Sequence, residues 1–145
     1  MVPKRPLLNE RLGFLYCPPW RIQGVSVAGE QTVIQIPELD VVFDIGGCPR
    51  IALSSPTIAL SHGHMDHVGG LPYWFSQRVF QKMGQGTCVC PKPLEQPLRA
   101  MMASWVGIEG QDTPHRIIGM SHLDEHELKP NTRLRAIDMR HASAA

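Results

Sequence analysis

Apolar and polar residues alternate along Gln31-Thr32-Val33-Ile34-Gln35-Ile36, the period-two signature of a strand with one buried face. Pro37 ends it, because proline has no N–H for a sheet ladder. A shorter strand is expected over residues 24–28, across a Gly29-Glu30 turn. The apolar run Leu39-Asp40-Val41-Val42-Phe43 leads into Asp44-Ile45-Gly46-Gly47 and predicts a strand over 40–43. Pro49 and Pro56 bracket a short segment, after which 57–61 reads as another strand. Leu71, Trp74, Phe75 and Val79 then recur at helical spacing and predict a helix over 70–82, with Pro72 in its first turn and its aromatics in the core. Gly84 and Gly86 break that run. Thr87-Cys88-Val89-Cys90 is a strand stopped by Pro91 and Pro93. Leu94, Leu98, Met101, Met102, Trp105 and Val106 mark a second amphipathic helix over 94–106. Strands are expected over 116–121 and 132–140, on either side of Asp124-Glu125-His126-Glu127. Residues 1–23 read as a lead-in in which Pro18-Pro19-Trp20 blocks regular structure, and Trp20 reads as core or interface packing.

Composition narrows the class without naming it. A chain of 145 residues is long enough for one domain with a real core. A net charge of +1 gives no global electrostatic case for nucleic acid. No apolar run is long enough to cross a bilayer. Lys4 and Arg5 are not followed by the apolar core of a signal peptide, so the expected location is cytoplasmic. Cys17, Cys48, Cys88 and Cys90 do not have the spacing of a disulfide scaffold. Cys88 and Cys90 fit one face of a short buried strand.

The chemistry concentrates in His62-Gly63-His64-Met65-Asp66-His67. Three imidazoles and a carboxylate at this density suit a divalent metal such as zinc. His62 and His64, two apart at a strand end, point the same way. Asp66 and His67 follow across a turn and can reach a second position, so two ions fit the spacing. A cluster of surface or capping histidines and a structural metal site are the alternatives. Asp44, at the end of a buried strand, is placed to accept from a ligand imidazole or from loop N–H groups; the plainer reading is a turn-forming Asp. His115, His122 and His126 lack metal spacing and read as surface or loop residues. Arg133 and Arg135 share one strand face and, with Arg140, form a basic strip that is either solvated or a phosphate contact.

The stretch LSHGHMDHVGGLP resembles the ribonuclease Z branch, the tRNA 3'-processing endonucleases, of the metallo-beta-lactamase superfamily. VVFDIGGCP is similar to that family's early strand ending in Asp-x-Gly, which gives those places to Asp44 and Gly46. HELKPNTRLRAIDMRHASAA resembles the approach to the family's next metal-binding histidine, which would be His141. The resemblance implies an α/β chain, the N-terminal half of a four-layer αβ/βα sandwich, with residues 1–145 a partial domain. It implies two zinc ions in the intact domain, with manganese as the alternative. His62, His64 and His141 would serve one ion and Asp66 and His67 the other, and a later bridging aspartate and a last histidine would lie beyond residue 145. Asp66 would also orient the attacking water or move its proton. The implied activity is a metal-dependent phosphodiesterase acting on RNA. Another hydrolase of the superfamily, acting on a small phosphodiester or thioester, and an inactive metal-binding half-domain are the alternatives. A half-sandwich leaves a sheet face uncovered, so a homodimer or other self-association is expected.

Overall fold

A computed structural model of the chain describes residues 12–139. Seven strands form one sheet in chain order: β1 (Gly13–Cys17), β2 (Trp20–Val27), β3 (Gln31–Ile36), β4 (Val41–Phe43), β5 (Thr57–Ala59), β6 (Gly86–Pro91) and β7 (His115–Met120). β1 to β4 pair antiparallel through short turns. β4 to β7 are parallel, so each connection must cross a face of the sheet. The crossing elements are a 3-10 segment at Arg50–Ser54, the helices α1 (Met65–Val68) and α2 (Leu71–Phe80), and α3 (Glu95–Glu109). A separate hairpin follows, β8 (Glu125–Lys129) and β9 (Thr132–Arg135). The chain is thus α/β, as its pattern predicts.

One row of side chains explains why the helices sit where they do. Val42, Ile58, Cys88 and Ile117 stand side by side across the four parallel strands. All four are fully buried or nearly so, together with Leu71, Trp74 and Phe75 of α2 and Leu98 and Met102 of α3. Parallel strands covered this way read as apolar runs rather than as alternation. Gln35 continues the row from Val42 and is also buried. Its amide donates to Ile51 O, Ser54 Oγ and Ser55 Oγ at 2.8–2.9 Å, which offsets the cost of burying it.

Several elements differ from the sequence pattern. The lead-in is not irregular: residues 13–17 form β1, and β2 starts at Trp20 rather than near 24. Pro18 and Pro19, joined by a cis peptide, fill the turn between paired Cys17 and Trp20, where no ladder N–H is needed. Trp20 is not in the core but 39% exposed on this hairpin. Trp105 is also largely exposed, because the buried stripe of α3 runs through Leu98 and Met102. Residues 125–129 form β8 instead of a loop, and the last strand ends at Arg135 instead of 140. Glu125 bonds both Arg133 and Arg135 across the hairpin, so charge pairing supplies what apolar patterning lacks there.

Candidate metal centre

β4 and β5 end side by side, with Phe43 opposite Ala59. Asp44 follows the first and Ser61 to His67 follow the second. Asp44 adopts a left-handed backbone, φ 58°, which Asp tolerates better than most residues, and its N–H donates to Ala59 O. Its carboxylate is buried and accepts three hydrogen bonds. Ser61 N donates to Oδ1 at 2.8 Å, Ser61 Oγ donates to Oδ2 at 2.7 Å, and His67 Nδ1 donates to Oδ2 at 2.8 Å. Asp44 therefore ties the loop after β4 to both ends of the histidine cluster.

Backbone contacts lock the two loops together. Ile45 N donates to His67 O and Gly70 N donates to Ile45 O, both at 2.7 Å. The approach is close enough to demand glycine: a Cβ on Gly46 would lie 1.8 Å from the Asp66 carbonyl oxygen. His64 is the N-cap residue of α1, and its carbonyl accepts from the N–H groups of His67 and Val68. Asp66 and His67 thus lie on the first turn after His64. Asp66 Oδ2 accepts from Gly29 N at 2.9 Å. That N–H lowers the Asp66 carboxyl below its usual range and favours the ionised form.

The donors come together as two pairs. His62 Nε2 is 3.0 Å from His64 Nδ1, and His67 Nε2 is 3.5 Å from Asp66 Oδ2. The pairs adjoin, since the rings of His62 and His67 lie 4.1 Å apart. Two ligands on one tetrahedral zinc, each bonded at about 2.0–2.1 Å, stand about 3.3 Å apart. Both separations suit that edge, and the Nδ1 of His67 is already engaged by Asp44, which leaves Nε2 to bind. The donor set fits a divalent metal in this respect, though among the described residues no group of three or more His, Cys, Asp or Glu side chains is gathered around one point. His141 and Arg140 lie outside the described residues.

An apolar groove of about 620 Å³ opens beside His62, at the C-terminal ends of the parallel strands. Phe43, Leu60, Val89 and Met120 line it together with Leu134, Ile137 and Met139. This is the edge at which parallel α/β sheets commonly bind ligands. Arg135 reaches the groove but bonds Glu125, as Arg133 does, so these two members of the basic strip are ion-paired. His115 lies in β7 with its Nδ1 donating to Thr113 O, and His122 Nδ1 accepts from Asp138 N. His126 lies in β8, where burial lowers its pKa. No hydrogen bond joins these three to the cluster among the described residues. Ser61 and Gly29 were not singled out from sequence. Ser61 had a signal, a hydroxyl directly before the histidines; Gly29 had none, because it arrives from a turn 37 positions away.

No family model matches the chain. Over 120 residues, 83% of its length, it is 30% identical to tRNase Z TRZ1 of Arabidopsis thaliana, and the match covers 43% of that protein. It is 28% identical over 120 residues to the nuclear ribonuclease Z of Triticum aestivum, covering 68% of it. Over 83 residues it is 32% identical to the chloroplastic tRNase Z TRZ2 of Arabidopsis thaliana, covering 23%. The chain thus spans less than half of the first of these relatives.

Proposed function

We propose that this chain, a relative of the ribonucleases Z of the metallo-beta-lactamase superfamily, carries the metal-binding part of an RNA-cleaving phosphodiesterase of that kind. The observation that carries this reading is the two adjoining donor pairs, His62 with His64 and Asp66 with His67, held by the buried carboxylate of Asp44. The relatives are named for cleavage of RNA, and the mixed α/β sheet agrees with their fold class.

A bound divalent ion, zinc or manganese, supplies positive charge that acidifies water and stabilises charge on a phosphodiester. The chain's own residues do the rest. Asp44 holds the His67 ring with Nε2 outward. The Gly29 N–H favours the ionised form of Asp66, which suits its carboxylate to bind the ion or to orient the attacking water. The groove beside His62 gives the substrate a place against the ends of β4 to β7. His141 would join the His62 and His64 pair. The expected cytoplasmic location belongs to the same reading; two relatives are named nuclear and chloroplastic. No helix among the described residues is long and apolar enough to cross a membrane.

Metal analysis by mass spectrometry on the wild type and His64→Ala tests this reading. The variant should lose most of its zinc; equal content in both would overturn the assignment. The chain should hydrolyse bis(p-nitrophenyl) phosphate feebly by itself. It spans 43% of the first relative, and a site loosened by about 1 Å loses about 100-fold in rate.

A further inference from the structure

Ser61 is the last residue before the histidine cluster and makes three hydrogen bonds. Its N–H donates to Asp44 Oδ1 at 2.8 Å. Its Oγ lies 2.7 Å from Asp44 Oδ2 and 2.9 Å from His62 Nδ1. A hydroxyl has one proton to give, and an ionised carboxylate can only accept. A hydrogen bond to an ionised acceptor is about twice as strong as one between neutral groups, so the proton goes to Asp44. The hydroxyl oxygen then accepts from His62, whose Nδ1 must carry the hydrogen. That leaves a lone pair on His62 Nε2, the atom facing His64 Nδ1 at 3.0 Å. His67 Nδ1 donates to the same Asp44 oxygen at 2.8 Å. One carboxylate oxygen thus governs two imidazoles, His67 directly and His62 through a hydroxyl.

We propose that Ser61 is a positioning residue that relays Asp44 to His62 and fixes His62 in its Nδ1–H tautomer, with Nε2 presented for ligation. The consequence for metal affinity rests on the function proposed above; the tautomer itself does not. The rings of His62 and His67 lie 4.1 Å apart, so one oxygen sets the tautomers of two adjoining imidazoles and leaves Nε2 as the acceptor nitrogen of each. Without the hydroxyl, His62 Nδ1 loses this acceptor, and the preference for the Nδ1–H tautomer weakens.

The test uses the whole chain with and without metal. In metal-free protein labelled with nitrogen-15 at histidine, multiple-bond correlation spectra at about pH 8.5, above the ordinary histidine pKa of about 6.5, report which ring nitrogen carries the proton. His62 should be Nδ1–H in the wild type and in Ser61→Thr, which keeps the hydroxyl, and should lose that preference in Ser61→Ala. His67 should stay Nδ1–H in all three. Ser61 is exposed and its N–H bond to Asp44 survives the substitution, so the fold should hold, as near-ultraviolet circular dichroism would confirm. Zinc affinity by competition with a chelating dye should fall about 10–100-fold in Ser61→Ala and be largely restored in Ser61→Thr. An Nε2–H tautomer at His62 in the wild type, or a Ser61→Ala variant that keeps both the Nδ1–H tautomer and wild-type zinc affinity, would overturn the proposal. Should the wild type take up no zinc, the metal reading fails, and the metal-free spectra still decide whether the relay exists.

Discussion

At Gly46 one methyl group separates an assembled site from a displaced one. Its Cβ would meet the Asp66 carbonyl oxygen at 1.8 Å and the carbonyl carbon at 2.4 Å, and backbone cannot rotate aside as a side chain can. Gly47→Ala would press instead on the flexible end of Gln31, at 2.2 Å. Gly46→Ala should therefore cost about 1–3 kcal/mol of stability and weaken zinc binding, while Gly47→Ala costs less on both counts. Urea unfolding and zinc titration of the two variants check this, and equal losses would contradict it. The cysteines divide just as sharply. Cys88 and Cys90 are buried in the core, and burial pushes the Cys48 thiol up to about 11. Cys17 is exposed on β1. Access protects Cys88 and Cys90, and the raised pKa keeps Cys48 in its unreactive thiol form, so brief iodoacetamide treatment at about pH 8 should modify Cys17 and spare the other three, as peptide mass mapping would show.

Among the elements, the β1–β2 hairpin is held by an ion pair with the turn after β3. Arg21 donates to Glu38 from its backbone N at 3.0 Å and from Nε at 2.5 Å. These bonds lower the Glu38 carboxyl from 4.5 to about 2. A carboxyl lowered by folding stabilises the folded state above its unfolded pKa, and that contribution fades as pH falls toward about 2. The pair is solvent-accessible, so its share of stability is small. The titration midpoint is the sharper readout: by carboxyl NMR, Glu38 should titrate near 2 in the wild type and higher in Arg21→Ala, yet still below 4.5, because the variant keeps the backbone N–H that donates to the carboxylate. A midpoint indifferent to Arg21 would contradict the pairing. The same hairpin shows where sequence patterning stops. β3 was legible as a strand, but its buried face was not: Val33 and Gln35 are buried, while the apolar Ile34 and Ile36 are only half-buried on the other side. β1 was not legible, because it is exposed on both faces and imposes no alternation. β8 was hidden for a different reason: its residues are charged and gain order from Arg133 and Arg135 on the next strand. The donor hexapeptide stood out because its residues are contiguous. The contacts that hold it come from Gly29, Asp44 and Gly46, and only the fold brings those three to it.

At the scale of the whole molecule, two groups of exposed apolar side chains among the described residues bear on association. One is in the groove, where Ile137 and Met139 are 65% and 83% exposed. The other is on β1, which lies at the end of the sheet order and exposes Phe14, Leu15 and Tyr16 by 61–64% each. An edge strand with apolar side chains on both faces and no charge along it is a template for pairing with a like strand. The sequence-based expectation of self-association rested on an uncovered sheet face, but Val41, Ala59 and Val89, on the face opposite Val42, Ile58 and Cys88, are buried; the exposed edge is a different reason to expect it. The 145-residue chain should therefore sediment as a concentration-dependent mixture of monomer and dimer. Phe14→Lys places a charge on that edge and should shift the mixture toward monomer, with far-ultraviolet circular dichroism unchanged. Association that persists in Phe14→Lys but disappears in Ile137→Lys would move the contact to the groove, where it would compete with substrate beside His62. A wild-type chain that remains monomeric across the concentration range would show that neither surface suffices to hold a second copy.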